Sequence, residues 1–329
     1  MTTLRIYNPA TGFHVSQGID GLAEALKDDA NVIWIALDPP TPDELTALKM
    51  LLELHDLVME DLTGDEDRPR YRKYADVTSL VLFGIRTPSS TEMQIEFPVC
   101  RVVFNNQIVV TVTDEPTAEL EEAYIRWKNC AAGFDPDTEA PVYALLDTIT
   151  DSFFPVVDRV VEAVDELEDQ VVDDGDPSIR NRVFSLKRSI LHFRRTTAGT
   201  RDVVGLLLRH DETALDRDSI YLRDVYDHLS RITDSLDIYR DLLSNVMDAY
   251  LSVISNRLAN SSNELNATMQ RLTVWGIVLG SGTLISGLYG MNVQELPFSH
   301  VRHEFYVILG IIVLVAAALM AWFHRKGWA

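Results

Sequence analysis

The hydrophobic pattern changes character twice along the chain. In the first third it comes in short, β-branched runs bounded by turn residues: Val32–Asp38 (VIWIALD), Val77–Arg86 (VTSLVLFGIR), Pro98–Phe104 and Gln107–Asp114. Such runs predict strands, and Asn105-Asn106 predicts a hairpin turn between the last two. Helical spacing covers Pro42–His55, with Thr41 as N-cap and Pro42 at the first helical position, and also Thr117–Cys130. The expectation is an α/β domain over residues 1–135. A helical pair over 136–210 follows, with helices at roughly 139–172 and 177–209. The run Asp173-Asp174-Gly175-Asp176-Pro177 breaks them.

A second pattern then begins. Residues 222, 225, 229, 232, 236, 239, 243, 246, 250 and 253 are Leu, Val, Leu, Ile, Leu, Tyr, Leu, Val, Tyr and Val, in alternating steps of three and four. That is a heptad seam. No Pro or Gly lies between Leu215 and Trp275. The spacing predicts one helix of roughly 75 residues starting near Asp211, a stalk over 211–271 that continues into the next segment. From Asn256 the seam turns polar: Asn256, Asn260, Ser262, Asn263 and Asn266 stand there. Interior polar positions are costly unless they face water, so the helices are expected to surround a wet axis.

The third pattern is continuous apolarity. Residues 272–289 and 305–323 carry no charge. Each is about 27–28 Å long as a helix, enough to cross a bilayer. The linking loop, 290–304, is short, so the two are expected to form a transmembrane hairpin. Arg271 precedes the first run, and His324, Arg325 and Lys326 follow the second, within a basic tail at 324–329. The positive-inside rule places both ends in the cytoplasm. The opening MTTLRIYNPATGFHV has no apolar core of signal-peptide length, which agrees. Gly276, Gly280, Gly282, Ser286 and Gly290 give the first run a small-residue face for close packing. The second run, with larger side chains, reads as lipid-facing.

Charge narrows the partners. Acidic residues outnumber basic ones 50 to 29, for a net charge of −21. That argues against nucleic acid, which needs clustered Lys and Arg, and suits cations. Residues 151–180 alone hold ten acids and two bases. Such density concentrates cations. Cys100 and Cys130 sit in no CxxC or Cys/His cluster and read as apolar residues of a reduced domain. No P-loop, GxGxxG or Ser/His/Asp arrangement is present, so no enzyme is expected.

Tyr289-Gly290-Met291-Asn292 ends the first apolar run. With RPRYRKY (68–74), RDVYDH (223–228), DAYLSVISNR (248–257), NATMQRLT (266–273) and FHRKGW (323–328), the chain resembles the CorA magnesium/cobalt transporter family over almost its whole length. The resemblance implies a funnel-shaped homopentamer in the cytoplasmic membrane, with the first membrane helices around one pore. Gly290, Met291 and Asn292 would form the selectivity filter, and Asp248, Asn266, Met269, Leu272, Gly280 and Thr283 would line the pore. Asp224 would bind regulatory metal, and Glu295 would keep part of an acidic loop. The cargo and regulator would be Mg²⁺, with Co²⁺, Ni²⁺ or Zn²⁺ as further candidates. Three departures stand out: Gly280-Ser281 replaces a bulky residue and Pro, His300, Arg302 and His303 make the loop less anionic, and about seven residues are added between SNRL and NATM. Seven is one heptad, so register survives. Two other readings remain: a zinc transporter of the related ZntB branch, favoured by His300 and His303, and a membrane-anchored coiled-coil scaffold.

Overall fold

The computed structural model describes residues 2–65, 67–87, 94–131, 137–173, 177–210, 218–291, 297 and 303–328. It divides into two compact units, Met1–Tyr250 and Leu251–Ala329.

The first unit holds β1 (Thr2–Asn8), β2 (Gly12–Gln17), β3 (Val32–Leu37), β4 (Arg70–Lys73), β5 (Thr78–Phe83), β6 (Val99–Phe104) and β7 (Ile108–Thr113). They form one sheet in the order β2-β1-β3-β7-β6-β5-β4. Only β3 and β7 pair in parallel, with Ile35 opposite Val110. Both are buried at every position, as strands covered on two faces must be. One face carries α1 (Leu22–Ala25), α2 (Pro42–Leu51) and α3 (Asp56–Thr63). Leu22, Leu48, Val58 and Leu62 pack there against Ile33, Ile35, Val110 and Val112. On the other face α4 (Ala118–Cys130) sets the Trp127 ring 5.8 Å from Trp34, whose Nε1 donates to Thr111 at 3.0 Å.

Two local expectations change. The helix expected over Pro42–His55 ends at Leu51, and a separate helix, α3, follows from Asp56. A Thr41/Glu44 capping box opens α2, but Glu53 adopts a φ of 50° and Leu54 drops into the core. His55 then accepts from the Leu57 amide at 3.2 Å and starts α3. The strand expected over Val77–Arg86 is regular only over Thr78–Phe83, with a single bridge from Arg86 to Glu96 beyond it. The hairpin turn does form at Asn105, whose Oδ1 accepts from the amides of Gln107 and Ile108. Cys100 is buried, which pushes its thiol up to about 12, whereas Cys130 is half-buried; both are free.

The RPRYRKY segment ties the sheet edge to its surroundings. Arg72 and the Tyr74 hydroxyl both bond Asp61, which is 2 % exposed. Pro69 lies against Gly199 of the later helix Pro177–His210, where an added Cβ would stand 2.9 Å from the proline ring.

Three long helices complete the unit: α5 (Glu139–Asp173), α6 (Pro177–His210) and the start of α7 (Asp218–Tyr289). The expected start near Asp211 falls outside the described residues. Buried rows at Phe153, Val157, Val160, Val164 and Leu167 on α5, and Ile179, Val183, Leu186, Ile190 and Phe193 on α6, repeat every three or four residues. On α7 the row is Val225, Leu229, Ile232, Leu236, Leu243, Val246 and Tyr250. The seam is therefore buried within the chain rather than left for a partner. Arg194 grips Asp237 with two bonds of 2.6 and 2.9 Å, joining α6 to α7.

The second unit holds the remainder of α7 and α8 (Glu304–Arg325). Both helices are long and apolar enough to cross a membrane, and only 6 % and 0 % of their apolar windows are buried. A core helix of a soluble protein would be buried instead. Gly282 of α7 meets Ile312 of α8 at 3.5 Å from its would-be Cβ. Gly327, at a φ of 72°, closes α8, while Trp328 donates back to the Phe323 carbonyl at 2.9 Å.

The Arg194 hydrogen bonds hold the Asp237 carboxyl below its ordinary value. A depressed carboxylate stabilises the fold above the ordinary carboxylate range and stops doing so as pH falls through its folded value. Asp237→Asn is expected to cost about 1 kcal/mol at neutral pH, since both groups are about a third exposed. Wild type and variant should converge in acid. Thermal melts over that pH range check this; equal stability at neutral pH would show the pair contributes nothing.

Candidate functional site

Three metal-capable side chains converge where α5 meets α7. Asp147, Asp224 and His228 each offer a ligand atom, all within 4.8 Å of one another. Asp224 and His228 are one helical turn apart on α7, with His228 Nε2 3.7 Å from the Asp224 carboxylate. Asp147 comes from α5 and is nearly buried, with its side chain 10 % exposed. It is already engaged: Arg126 bonds it, and the Tyr143 hydroxyl donates to it at 3.1 Å. Burial first, then the Asp147 charge, holds the Tyr143 phenol well above its ordinary value, so it remains a donor. Burial pulls the Arg126 guanidinium down, but bonds to Asp151 and Asp147 more than offset that. His228 Nδ1 is buried with no hydrogen-bond partner among the described residues, and Phe154 packs edge-on against its ring. A buried ring nitrogen without a partner is costly unless something occupies it. Two carboxylates and an imidazole suit a divalent cation, the nitrogen favouring Co²⁺ or Zn²⁺ over Mg²⁺.

The other arrangement lies along α7 in the second unit. Leu251, Leu258, Leu265, Leu272 and Leu279 stand seven residues apart and are 54–67 % exposed. Beside them runs a row at the same step that is small or polar except at Met269: Ser255, Ser262, Met269, Gly276, Thr283 and Gly290. A second such row is Ser252, Ala259, Asn266, Thr273, Gly280 and Gly287. A step of seven is two helical turns, so each row stays on one side. Gly276, Gly280 and Gly287 meet nothing within 4 Å of a would-be Cβ among the described residues. At the end, the Gly290 amide still bonds Ser286 at 2.9 Å, Met291 is exposed, and Tyr289 donates to the Pro297 carbonyl at 3.0 Å.

The family profile described as CorA-like Mg2+ transporter protein matches residues 29–325. The chain belongs to this family. The cobalt/magnesium transport protein CorA of Thermotoga maritima is 25 % identical over 313 residues, covering 92 % of this chain and 85 % of that one. The CorA of Methanocaldococcus jannaschii is 22 % identical over 312 residues, covering 93 % and 94 %. The solved structure of the CorA magnesium transporter from Methanocaldococcus jannaschii matches with a TM-score of 0.72 at 19 % identity, covering 99 % of this chain and 98 % of that one. At that identity the likeness speaks for the fold: an α/β domain, a long helix and two C-terminal apolar helices.

Within this CorA-like chain the residues singled out by sequence fall in different places. Asn266, Met269, Gly280, Thr283 and Gly290 lie on the two small-residue rows, whereas Leu272 belongs to the leucine row beside them. Asp248 stands one heptad before Ser255. Asn292, Glu295, His300 and Arg302 lie outside the described residues. Asp224 gains two neighbours that sequence reasoning missed. His228 was within reach, four residues on in the same RDVYDH motif; Asp147, seventy-odd residues earlier, gave no signal. The leucine row was also legible, as five leucines at a constant step of seven.

If the cluster holds metal, adding Co²⁺ or Mg²⁺ raises the melting temperature of the purified protein, by about 2.7 kcal/mol of stability at a hundredfold excess over Kd. Asp224→Asn and His228→Gln are each expected to lose at least half of that rise. The same rise in both variants would move the metal elsewhere.

Proposed function

We propose that copies of this chain form a ring around α7, five by the family resemblance, and that the ring conducts divalent cations, Mg²⁺ first, across the cytoplasmic membrane. The carrying observation is the pairing of an exposed leucine row with two rows of small and polar residues on one unbroken helix. In a ring, leucines seal the seam between neighbouring helices, and the small rows face the axis, where missing side-chain volume leaves a water column. Residues 1–271 would stand in the cytoplasm as an α/β domain (1–135), helical pair (136–210) and stalk (211–271). Spans at 272–289 and 305–323, a loop at 290–304 outside, and a basic tail at 324–329 complete the arrangement.

The chemistry fits a hydrated cation. Mg²⁺ sheds water reluctantly and prefers oxygen. A ring of Asn292 amides with Gly290 carbonyls, beside Met291, holds the hydrated ion weakly enough for release. Asn266 and Thr283 supply further oxygens along the axis, and Gly280 leaves the mid-pore wide. Asp248 adds negative charge at the cytoplasmic approach. Met269, with Leu272 at its flank, closes the column by dewetting. Asp147, Asp224 and His228 are the cytoplasmic sensor: cation bound there joins α5 to α7 and favours closure.

Reconstituted protein is expected to pass Mg²⁺ into liposomes. Asn292→Ala should lower that selective flux about tenfold or more, equivalent to about 1.4 kcal/mol of barrier stabilisation. Unchanged selectivity would remove the filter assignment. Asp224→Lys should keep the channel conducting at internal Mg²⁺ that closes the wild type; identical inhibition would leave Asp224 a surface charge. Zn²⁺ uptake driven by a proton gradient, without Mg²⁺ flux, would move the assignment to the ZntB branch.

A further inference from the structure

The α5–α6 hairpin is electrically lopsided. Residues 177–210 hold eight Lys or Arg and one Asp, in a chain whose net charge is −21. Residues 139–173 hold ten Asp or Glu and one Arg. Opposite charges on paired helices would ordinarily neutralise one another across the pair. Here they largely do not. Arg182 reaches Glu166 at 3.7 Å. Arg180, Arg188 and Arg195 are exposed and pair with no carboxylate among the described residues.

These arginines share their face with apolar residues. Arg180, Phe184, Arg188, Leu191 and Arg195 follow one another at steps of four, four, three and four, which keeps them on one side of a helix. That side lies opposite the buried row Ile179, Val183, Leu186, Ile190 and Phe193. Phe184 is 56 % exposed and Leu191 47 % exposed. The face spans about 22 Å of helix. A solvated surface has no use for a phenylalanine and a leucine set between unpaired arginines. An interface does, since the guanidinium stems and the apolar groups cover each other when a partner supplies the carboxylates.

The chain contains a matching surface. Asp158, Glu162, Asp165 and Asp169 recur at steps of four, three and four on the outward side of α5, opposite Val157, Val160, Val164 and Leu167. All four are exposed and pair with no cation among the described residues. Because α5 and α6 run antiparallel with Glu166 beside Arg182, the acidic and basic faces lie at about the same height along the hairpin, each turned away from its own buried row. Two faces of one chain, complementary in sign, equal in pitch and level, cannot meet within that chain. A rotation repeated around an axis brings them together between copies, which is the head-to-tail geometry that closes into a ring.

We propose that the Arg180–Arg195 face of α6 docks on the acidic face of α5 of the neighbouring copy, so that α5–α6 hairpins form a lateral belt. This rests on the ring reading above and adds a contact that does not involve α7. Arg188 lies level with Glu162 of the partner subunit, and Phe184 and Leu191 are covered. The contact is electrostatic at its rim and therefore weakens with salt.

The test is a disulfide across the belt. Full-length protein carrying both Glu162→Cys and Arg188→Cys is oxidised in mild detergent and run on a non-reducing denaturing gel, with each single variant as control. The expected result is a ladder of covalent multimers from the double variant alone. Monomer bands only, from a protein whose native mass is multimeric, would overturn the belt and leave the ring standing; a monomeric native mass would overturn both. A charge reversal gives an independent reading. Arg188→Glu with Arg195→Glu should lower the salt concentration at which the assembly dissociates, and adding Glu162→Arg with Asp158→Arg should restore it. No change on reversal would likewise overturn the belt.

Discussion

The structure depends on α7 remaining a single helix while its surroundings change. A helix satisfies its own backbone hydrogen bonds, so it can pass from a protein core to hydrocarbon without exposing a peptide group. Its side chains have no such freedom. Up to Tyr250 the apolar row is matched by α5 and α6 of the same chain. From Leu251 a neighbouring row, one position along the heptad from Leu243 and Tyr250, carries the exposed leucines. The row that folds the chain thus ends near Tyr250, and beyond it a different face of the same helix carries the exposed leucines.

That arrangement explains why the metal-capable cluster stands where it does. Asp224 and His228 are on the part of α7 that α5 approaches, so an event at Asp147 bears on the packing of these two helices. A cation held by Asp147, Asp224 and His228 would favour whichever arrangement brings α5 and α7 closest. Arg126 and Tyr143 fix the orientation of the Asp147 carboxylate beside Asp224 and His228.

Much of this was legible in the sequence, for identifiable reasons. β3, β5, β6 and β7 were visible because strands buried on both faces read as unbroken β-branched runs. β1, β2 and β4 were not, because Thr2–Asn8, Gly12–Gln17 and Arg70–Lys73 mix polar and apolar residues without a clean alternation. The break at Glu53 escaped because a left-handed glutamate carries no warning such as glycine would. The helices of the bundle were clear from spacing alone, but spacing could not say that their partners belonged to the same chain. Asp147 became a neighbour of Asp224 only through the fold, since no local pattern links α5 to α7 across an intervening helix.

The clamp on β4 has a further consequence. An open sheet is a template for strand addition, and its ends are β2 and β4. At one end Arg70, Arg72 and Lys73 line a strand of four residues, Pro69 removes a donor just before it, and Asp61 and Gly199 pin it down. A crowded membrane surface raises the local concentration of identical sheets, which invites runaway stacking. A border that is short, cationic and anchored discourages amyloid-like growth there.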